Sequence, residues 1–250
     1  MQQITDKLNN MTAGTDFEYQ EPMTILKSAA RDPALATLFN FASMAHNNHF
    51  FFRQLVNLQT LYEQKAHKQP ASQTGQDEPQ EILVEPSEDR IPPKLKIELE
   101  RSFSSIETLR LEFLGTAMSM FGPGFVWLVK NAQTLDLRIL PTYLAGSPYT
   151  AAHWRRQSVD WNTSSADRGT VDSLLDRMRT GAGNGGGQFT HQAPGGTDVI
   201  PLLCLNTWEH VWLTDYGIGG KEQYVEQWWD TIDWEKVEAL VFPKGRDIFK

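Results

Sequence analysis

Apolar residues recur near every 3.6 positions from residue 33 to residue 62, and this period predicts a helix there. Asp32 is suited to cap its N-terminus, with Pro33 at the first helical position. The apolar positions of its first half are Leu35, Leu38, Phe39, Ala42, Met44 and Ala45. Its second half, HFFFRQLVNLQTLY, is apolar on most faces, so we expect a deeply packed helix.

A second helical pattern follows Pro92 and Pro93. Ser104 and Glu107 have the spacing of a capping box ahead of an apolar run, so we expect a helix from this point to about Met120. Residues 64–92, between the two patterns, are rich in Gln, Pro and acidic residues, which indicates a mobile linker.

Strand patterns come later in the chain. The segments FGPGFVWLVK (121–130) and LDLRIL (135–140) predict a hairpin, and residues 199–206 predict a third strand. An aromatic-rich closing helix is predicted from Tyr224 to Trp234. We divide the chain into an N-terminal helical segment (1–63), a flexible acidic linker (64–93), a C-terminal α/β domain (94–242) with an insertion at 149–198, and a tail (243–250).

The composition fits a globular protein and excludes several other classes. With 40% hydrophobic and 11% aromatic residues, the 250-residue chain can bury a substantial core. It has no run of about 18 apolar residues that would cross a bilayer. Cys204 alone cannot form an intrachain disulfide, which fits a reducing compartment. The net charge of −8 disfavours a surface that grips nucleic acid throughout, because phosphate binding rests on Lys and Arg, but local basic patches are compatible with it.

The insertion at 149–198 is rich in Arg, in contrast to the acidic chain around it. Trp154 stands beside Arg155 and Arg156, a combination suited to a protein or RNA surface. The glycines of its tail, GAGNGGG, match a phosphate-binding spacing but have neither a strand before them nor an apolar helix after them, so they indicate a flexible loop. We predict an assembly contact here, with a solvated loop as the alternative.

Two pairs of residues have the chemistry of metal ligands. His46 and His49 lie three residues apart, a spacing that presents two imidazoles on one helical face, and Glu209 is next to His210 in the segment NTWEHVWLTDY. Taken alone, each pair is also compatible with polar packing or local structure. The order of the surrounding segments along the chain separates these interpretations.

Four segments resemble, in order, the motifs of iron/manganese superoxide dismutases. NFASMAHNNHFFF is similar to the metal-binding helix of that family, FGPGFVWLV to a strand motif, NTWEHVWLTDY to its D-x-W-E-H motif, and YVEQWWDTIDWEKV to its closing helix. The resemblance covers about residues 33–62, 95–148 and 199–238. It implies an α+β fold, in which an N-terminal helical hairpin joins a C-terminal α/β domain with a three-stranded antiparallel sheet.

The same resemblance implies a degenerate metal site. The family binds its ion through three His and one Asp. His49 and His210 match two of the His, whereas Asn206 stands at the Asp, and its neutral amide is a poor ligand. The third His belongs to an earlier helix that would fall at or before residue 1. The positions of the outer-sphere Gln in iron and manganese enzymes hold Ala45 and Ala145. We therefore expect no catalytic residue, no bound metal and no cofactor, with His49, Asn206 and His210 as vestigial ligand positions.

In this family the Glu of the W-E-H motif reaches across a dimer interface to hydrogen-bond a ligand His of the other subunit. The resemblance implies that Glu209, His210 and Tyr216 are kept as a partner interface and that the partner carries the reciprocal pair. The alternative is that Glu209 only caps local structure.

A further resemblance runs over nearly the whole chain. ARDPALATLFNFASMAHNNHFFF, the acidic linker and the insertion before IPLLCLNTWEH are similar to fungal mitochondrial small-subunit ribosomal proteins built on this fold. This implies a non-catalytic structural protein of the mitochondrial ribosome's small subunit. Its expected partners are other small-subunit ribosomal proteins, among them a second superoxide dismutase-like protein as heterodimer partner. Limited contact with ribosomal RNA is compatible with this function, and no membrane contact is expected.

Two alternatives belong to other functional classes: an active superoxide dismutase that uses Asn206 unconventionally, and a free-standing protein-binding module. The first twenty residues lack the apolar core of a secretory signal and the Arg/Ser-rich, acid-poor composition of a mitochondrial transit peptide. We therefore expect either that the protein stays where it is made or that its N-terminus is missing. Mitochondrial import would imply a truncated N-terminus and a truncated helical hairpin.

Overall fold

The computed structural model describes residues 2–30, 32–56, 87–149 and 198–243. The helices before the sheet are α1 (Gln2–Thr12), α2 (Pro22–Ala29), α3 (Ala36–Arg53), α4 (Pro93–Phe103) and α5 (Ile106–Ser119). The strands are β1 (Gly124–Asn131), β2 (Leu137–Tyr143) and β3 (Val199–Asn206), and the helices after them are α6 (Glu209–Tyr216), α7 (Lys221–Asp230) and α8 (Trp234–Val241). Within the described ranges, every helix is too short or too polar to cross a lipid bilayer.

The three strands form one sheet in the order β2-β1-β3. The hairpin of β1 and β2 is closed by a bond from the Asn131 N–H to the Asp136 carbonyl (2.9 Å). Strand β3 runs antiparallel to β1, since the N–H of Thr207, just past its end, donates to the carbonyl of Gly124 at the start of β1 (2.9 Å). The predicted α+β fold with a three-stranded antiparallel sheet is confirmed.

Contacts divide the chain into two compact units. The first consists of residues 1–47, 129–136 and 145–201, and the second of residues 48–128, 137–144 and 202–250. The apolar core of the first unit contains Leu8, Ile25, Leu26, Ala29, Leu38, Ala42, Ala45 and Tyr149. The second unit is built around aromatic side chains: Phe113 stacks on Trp228 with 5.4 Å between ring centroids, and Trp229 meets Trp234 edge-on at the same distance.

The helix predicted for residues 33–62 is shorter than expected. Asp32 does cap it, since its Oδ1 accepts from the Ala34 N–H (2.8 Å), but the first turn is a 3-10 helix over Pro33–Leu35. Helix α3 ends at Arg53, because the next residues leave the helix and Leu55 forms an antiparallel bridge with Ile232. Residues 57–62 lie outside the described part of the chain.

Two other boundary predictions are wrong in detail. The residue that caps α5 is Ser105, whose Oγ accepts from the Thr108 N–H (3.0 Å), while Ser104 has a φ of 69° and ends α4. The last residues of the predicted mobile linker are packed: Ser87–Arg90 is a 3-10 helix, and buried Ser87 accepts a hydrogen bond from the Trp234 indole (2.7 Å). Residues 57–86 lie outside the described residues.

Helices α1 and α2 lie within the predicted N-terminal helical segment, but the apolar pattern did not give either helix or its bounds. They are short, at 11 and 8 residues, and each presents only a few apolar side chains to the core of the first unit. Leu8 is the single large apolar residue that α1 buries, whereas α2 buries Ile25 and Leu26. Helices of this length are marginal on their own, so they are held by this packing.

Candidate functional site

Asn206 lies at the end of strand β3 and is completely buried. Its Nδ2 donates to Oδ1 of Asn48 (2.8 Å), and its Oδ1 accepts from the Trp208 N–H (2.9 Å). The second bond turns the chain from β3 into helix α6, as an Asx turn does. Both ends of the amide are therefore engaged in structural hydrogen bonds.

The two histidines carried over from the resemblance are both exposed to solvent. His49 lies on α3 and His210 in the first turn of α6, where its ring is 5.6 Å from the ring of Trp208. Among residues 2–30, 32–56, 87–149 and 198–243, no three His, Cys, Asp or Glu side chains come together as ligands for one metal ion. An ion bound here would meet exposed imidazoles and a neutral amide that already has two partners, so these residues do not fit the family's metal.

His46 is used differently in the first unit. Its Nε2 is 3.0 Å from the Tyr149 hydroxyl, and the Lys27 ammonium lies 4.4 Å above the centre of the Tyr149 ring. Two nearby side chains of α3 hold the same segment: Ser43 Oγ donates to the Ala145 carbonyl (2.6 Å) and Asn47 Nδ2 to the Gly146 carbonyl (2.8 Å). This part of α3 clamps the segment 145–149.

The outer edge of β3 is closed by side chains. Buried Gln54 accepts from the Cys204 N–H (3.0 Å) and donates to the Leu202 carbonyl. The Tyr224 hydroxyl donates to the Asn206 carbonyl (2.8 Å). Because β3 is an edge strand, alternate residues point their backbone groups away from β1, and these two side chains supply partners for them.

Gln54 and Tyr224 were not singled out in the sequence. The signal for Gln54 is weak: it is the one uncharged polar residue in the run FFFRQLV, directly after Arg53. Tyr224 looks like one more aromatic residue of the closing helix. Their roles depend on which backbone groups they meet, and the sequence pattern does not contain that information.

Burial raises the pKa of the Cys204 thiol well above its ordinary value. Burial also raises the pKa of Tyr224, with smaller contributions from Cys204 and Tyr216. A raised pKa in the folded state means that stability is fully present below the pKa of the unfolded chain and is lost as pH rises above it.

We therefore expect the free energy of unfolding to fall above about pH 9, by about 1.4 kcal/mol per pH unit for the thiol alone. Urea unfolding at several pH values between 8 and 10 measures this slope. The free energy of unfolding of Cys204→Ala should depend less on pH over that range, whatever its value at neutral pH. Equal slopes in the two proteins would contradict the prediction, because they would mean that ionisation of Cys204 does not differ between the folded and the unfolded chain.

The predicted partner interface lies on α6 and is accessible. Glu209 and His210 are both exposed in its first turn, and Tyr216 at its end is half-buried, with its hydroxyl donating to Gln227 Oε1 (2.7 Å). Burial lowers the pKa of Lys221, and the nearby negative charge of Glu209 partly offsets that effect. The predicted assembly contacts Trp154, Arg155 and Arg156 lie outside the described residues.

Comparison with known proteins identifies the domain. The model of the C-terminal domain of iron/manganese superoxide dismutases matches residues 92–159 and 187–240, and the gap between the two parts falls inside the insertion. Superoxide dismutase [Fe] of Escherichia coli is 24% identical over 236 residues, which is 94% of this chain and 80% of that protein.

Two further relatives come from one organism. Small ribosomal subunit protein mS42 of Schizosaccharomyces pombe is 26% identical over 219 residues, 88% of this chain and 73% of the relative. Small ribosomal subunit protein mS43 of the same organism is 28% identical over 236 residues, 94% of this chain and 72% of the relative. Together with the three-stranded sheet and its flanking helices, these matches show an α+β fold like that of iron/manganese superoxide dismutases.

Proposed function

We propose that this protein is a non-catalytic structural component of the small subunit of the mitochondrial ribosome. The observation that carries this proposal is the similarity to two small ribosomal subunit proteins along about nine-tenths of the chain. The environment of Asn206 supports it, because the amide that stands in place of a metal-binding carboxylate bonds to the Asn48 side chain and the Trp208 N–H instead. Mitochondrial location is part of the same proposal and rests on the resemblance to fungal mitochondrial ribosomal proteins.

The experiment is a sucrose gradient of mitochondrial lysate from the source organism, combined with metal analysis of the purified protein. We expect the protein to sediment with the small subunit, to hold well under one iron or manganese per chain, and not to dismutate superoxide. About one metal per chain together with activity would establish the enzymatic alternative. Migration only at the top of the gradient would favour a free-standing protein-binding module.

The charge of the C-terminal helices supports assembly through protein contacts. Between residues 209 and 241 the chain carries eight carboxylates against two lysines. The carboxylates Glu222, Glu226 and Asp230 follow each other at four-residue spacing on the exposed face of α7. Such a face repels phosphate and suits a basic protein surface, so we place any contact with ribosomal RNA elsewhere on the molecule. The predicted assembly contact through Trp154, Arg155 and Arg156 remains part of the proposal.

The proposed partner is a second protein of the same fold. In Schizosaccharomyces pombe two different small ribosomal subunit proteins are about equally similar to this chain, so one organism has two such relatives. Glu209 and His210 are exposed on α6, where a partner's reciprocal pair could reach them. Oligomers of related chains commonly use the same surface on both subunits.

Glu209→Ala should weaken pairing with this partner by about 2–5 kcal/mol, because truncation leaves the partner's charged group buried without its counterpart. The folded chain alone should lose less than about 0.5 kcal/mol, since Glu209 is exposed. Co-purification and a thermal melt measure the two effects separately. Glu112→Ala is the matched control and should leave pairing nearly unchanged, because Glu112 is also exposed but lies on α5, outside the acidic C-terminal helices. A lowered melt with intact pairing would make Glu209 a local structural residue.

A further inference from the structure

Two turns of the second unit each hold a large apolar side chain almost entirely in solvent. Phe121, between α5 and β1, is 97% exposed, and Ile218, between α6 and α7, is 91% exposed. Single exposed apolar residues are normal on protein surfaces. Two of them on neighbouring turns form an apolar surface that is typical of a protein-binding site.

A hydrogen bond joins the two turns. The Lys221 ammonium, at the start of α7, donates to the carbonyl of Met120, the residue before Phe121 (3.5 Å). Ile218 lies three residues before Lys221. The negative charge of Glu209 also acts on the pKa of Lys221, which means that Glu209 is near Lys221. The two turns and Glu209 therefore belong to one surface.

The backbone of both turns depends on glycine. Gly122 has a φ of 112° and Gly217 a φ of 74°, values that side-chain-bearing residues rarely adopt. A Cβ on Gly220 would lie 2.2 Å from the Tyr216 carbonyl oxygen, so only glycine fits there. The turn before α7 is closed by a bond from the Gly220 N–H to the Gly217 carbonyl (3.1 Å), and the turn before β1 is held to the end of β2 by a bond from the Leu144 N–H to the Pro123 carbonyl (2.9 Å). Fixed turns present Phe121 and Ile218 with little further loss of backbone entropy on binding.

We propose that Phe121 and Ile218 are paired apolar anchors that insert into a cleft on the fold-related partner. This rests on the proposed function, because it extends the Glu209 surface of the same interface. The exposed carboxylates near the anchors are Glu209, Asp215 and Glu222. The complementary cleft is therefore apolar at its centre and carries Lys or Arg at its rim, as in interfaces with a buried apolar core and a polar rim.

The test measures binding between the purified chain and the purified second superoxide dismutase-like small-subunit protein of the same organism. Phe121→Ser and Ile218→Ser should each weaken the Kd at least about tenfold, and the double variant at least about a hundredfold, mainly through faster dissociation. Tyr19→Ser is the matched control, because Tyr19 is also 97% exposed but lies in the first unit. It should change the Kd less than about threefold. Melting temperatures of all variants should agree within about 2 °C, since the replaced side chains are solvated.

Three results would overturn this inference. If the native chain binds the partner and the double variant binds equally well, Phe121 and Ile218 are not anchors, while the proposed pairing stands. If the native chain binds no fold-related partner, the pairing itself fails and the anchors fail with it. If sedimentation of the chain alone shows a dimer that the double variant abolishes, the occupant of the anchor surface is a second copy of this chain.

Discussion

Gln54→Leu should lower the free energy of unfolding by about 2–5 kcal/mol. The substitution removes both partners that the side chain supplies, leaving the Cys204 N–H and the Leu202 carbonyl without the bonds they make now. Both residues are fully buried, so water cannot replace the lost partners without opening the structure. Leucine matches glutamine in size, and the effect therefore reports hydrogen bonding more than packing.

Urea unfolding of purified protein measures this change. Gln227→Leu is the matched control, because Gln227 is an exposed residue of the same unit whose Oε1 accepts from the Tyr216 hydroxyl. We expect the control to change stability by less than about 0.5 kcal/mol. Equal effects of the two substitutions would mean that the bonds from Gln54 to β3 contribute no more than a surface contact.

Asn206→Asp should destabilise the protein by about 2–4 kcal/mol at neutral pH and should not create a metal site. One carboxylate oxygen keeps the bond from the Trp208 N–H, but the other loses the donor that now reaches Asn48. The charge is completely buried, and no cation has been added to balance it. Burial should raise the pKa of the new carboxyl, so the destabilisation should shrink as pH falls towards 4 and the group becomes neutral.

Asn131→Asp is the control for this substitution. Asn131 is also buried, but its Oδ1 accepts from the N–H groups of Gln133 and Thr134, at 2.8 and 3.2 Å. A carboxylate there gains from two backbone donors, and we expect a change of less than about 1 kcal/mol. Unfolding at pH 4.5 and 7.5, with metal analysis of both variants, tests the pair. Near-stoichiometric metal in Asn206→Asp without loss of stability would contradict this prediction and would mean that the other residues of the site can still hold a metal once the carboxylate is restored.

The sequence predicted the elements whose pattern is strong over many residues. Strand β3 has the predicted bounds 199–206, and the strands of the hairpin lie within three residues of the predicted ones. The same reasoning failed where one or two contacts decide the structure. Arg53 ends α3 although the apolar pattern continues, because the following residues bond to another part of the second unit instead of continuing the helix.

The sequence proposes residues for the candidate site but does not give their surroundings. Comparing the sequence with family motifs predicts that Asn206 stands at the position of a metal-binding carboxylate, and a neutral amide is a poor metal ligand. The sequence does not reveal that Asn48 bonds to this amide or that His49 is exposed. Those properties depend on burial and on the orientation of side chains, which a one-dimensional pattern does not encode.

Under the proposed function, the closed edge of β3 has a consequence for the protein before it joins its assembly. Subunits made in excess of their partners have to survive alone, and an open strand edge invites pairing with other chains, which leads to aggregation. Here Gln54 and Tyr224 occupy backbone groups along that edge. On the other edge strand, β2, Pro141 has no N–H to offer to an added strand. The sheet is therefore protected against strand addition while its apolar turns remain free, so the orphan chain should pair with partners through those turns and not aggregate through its strands.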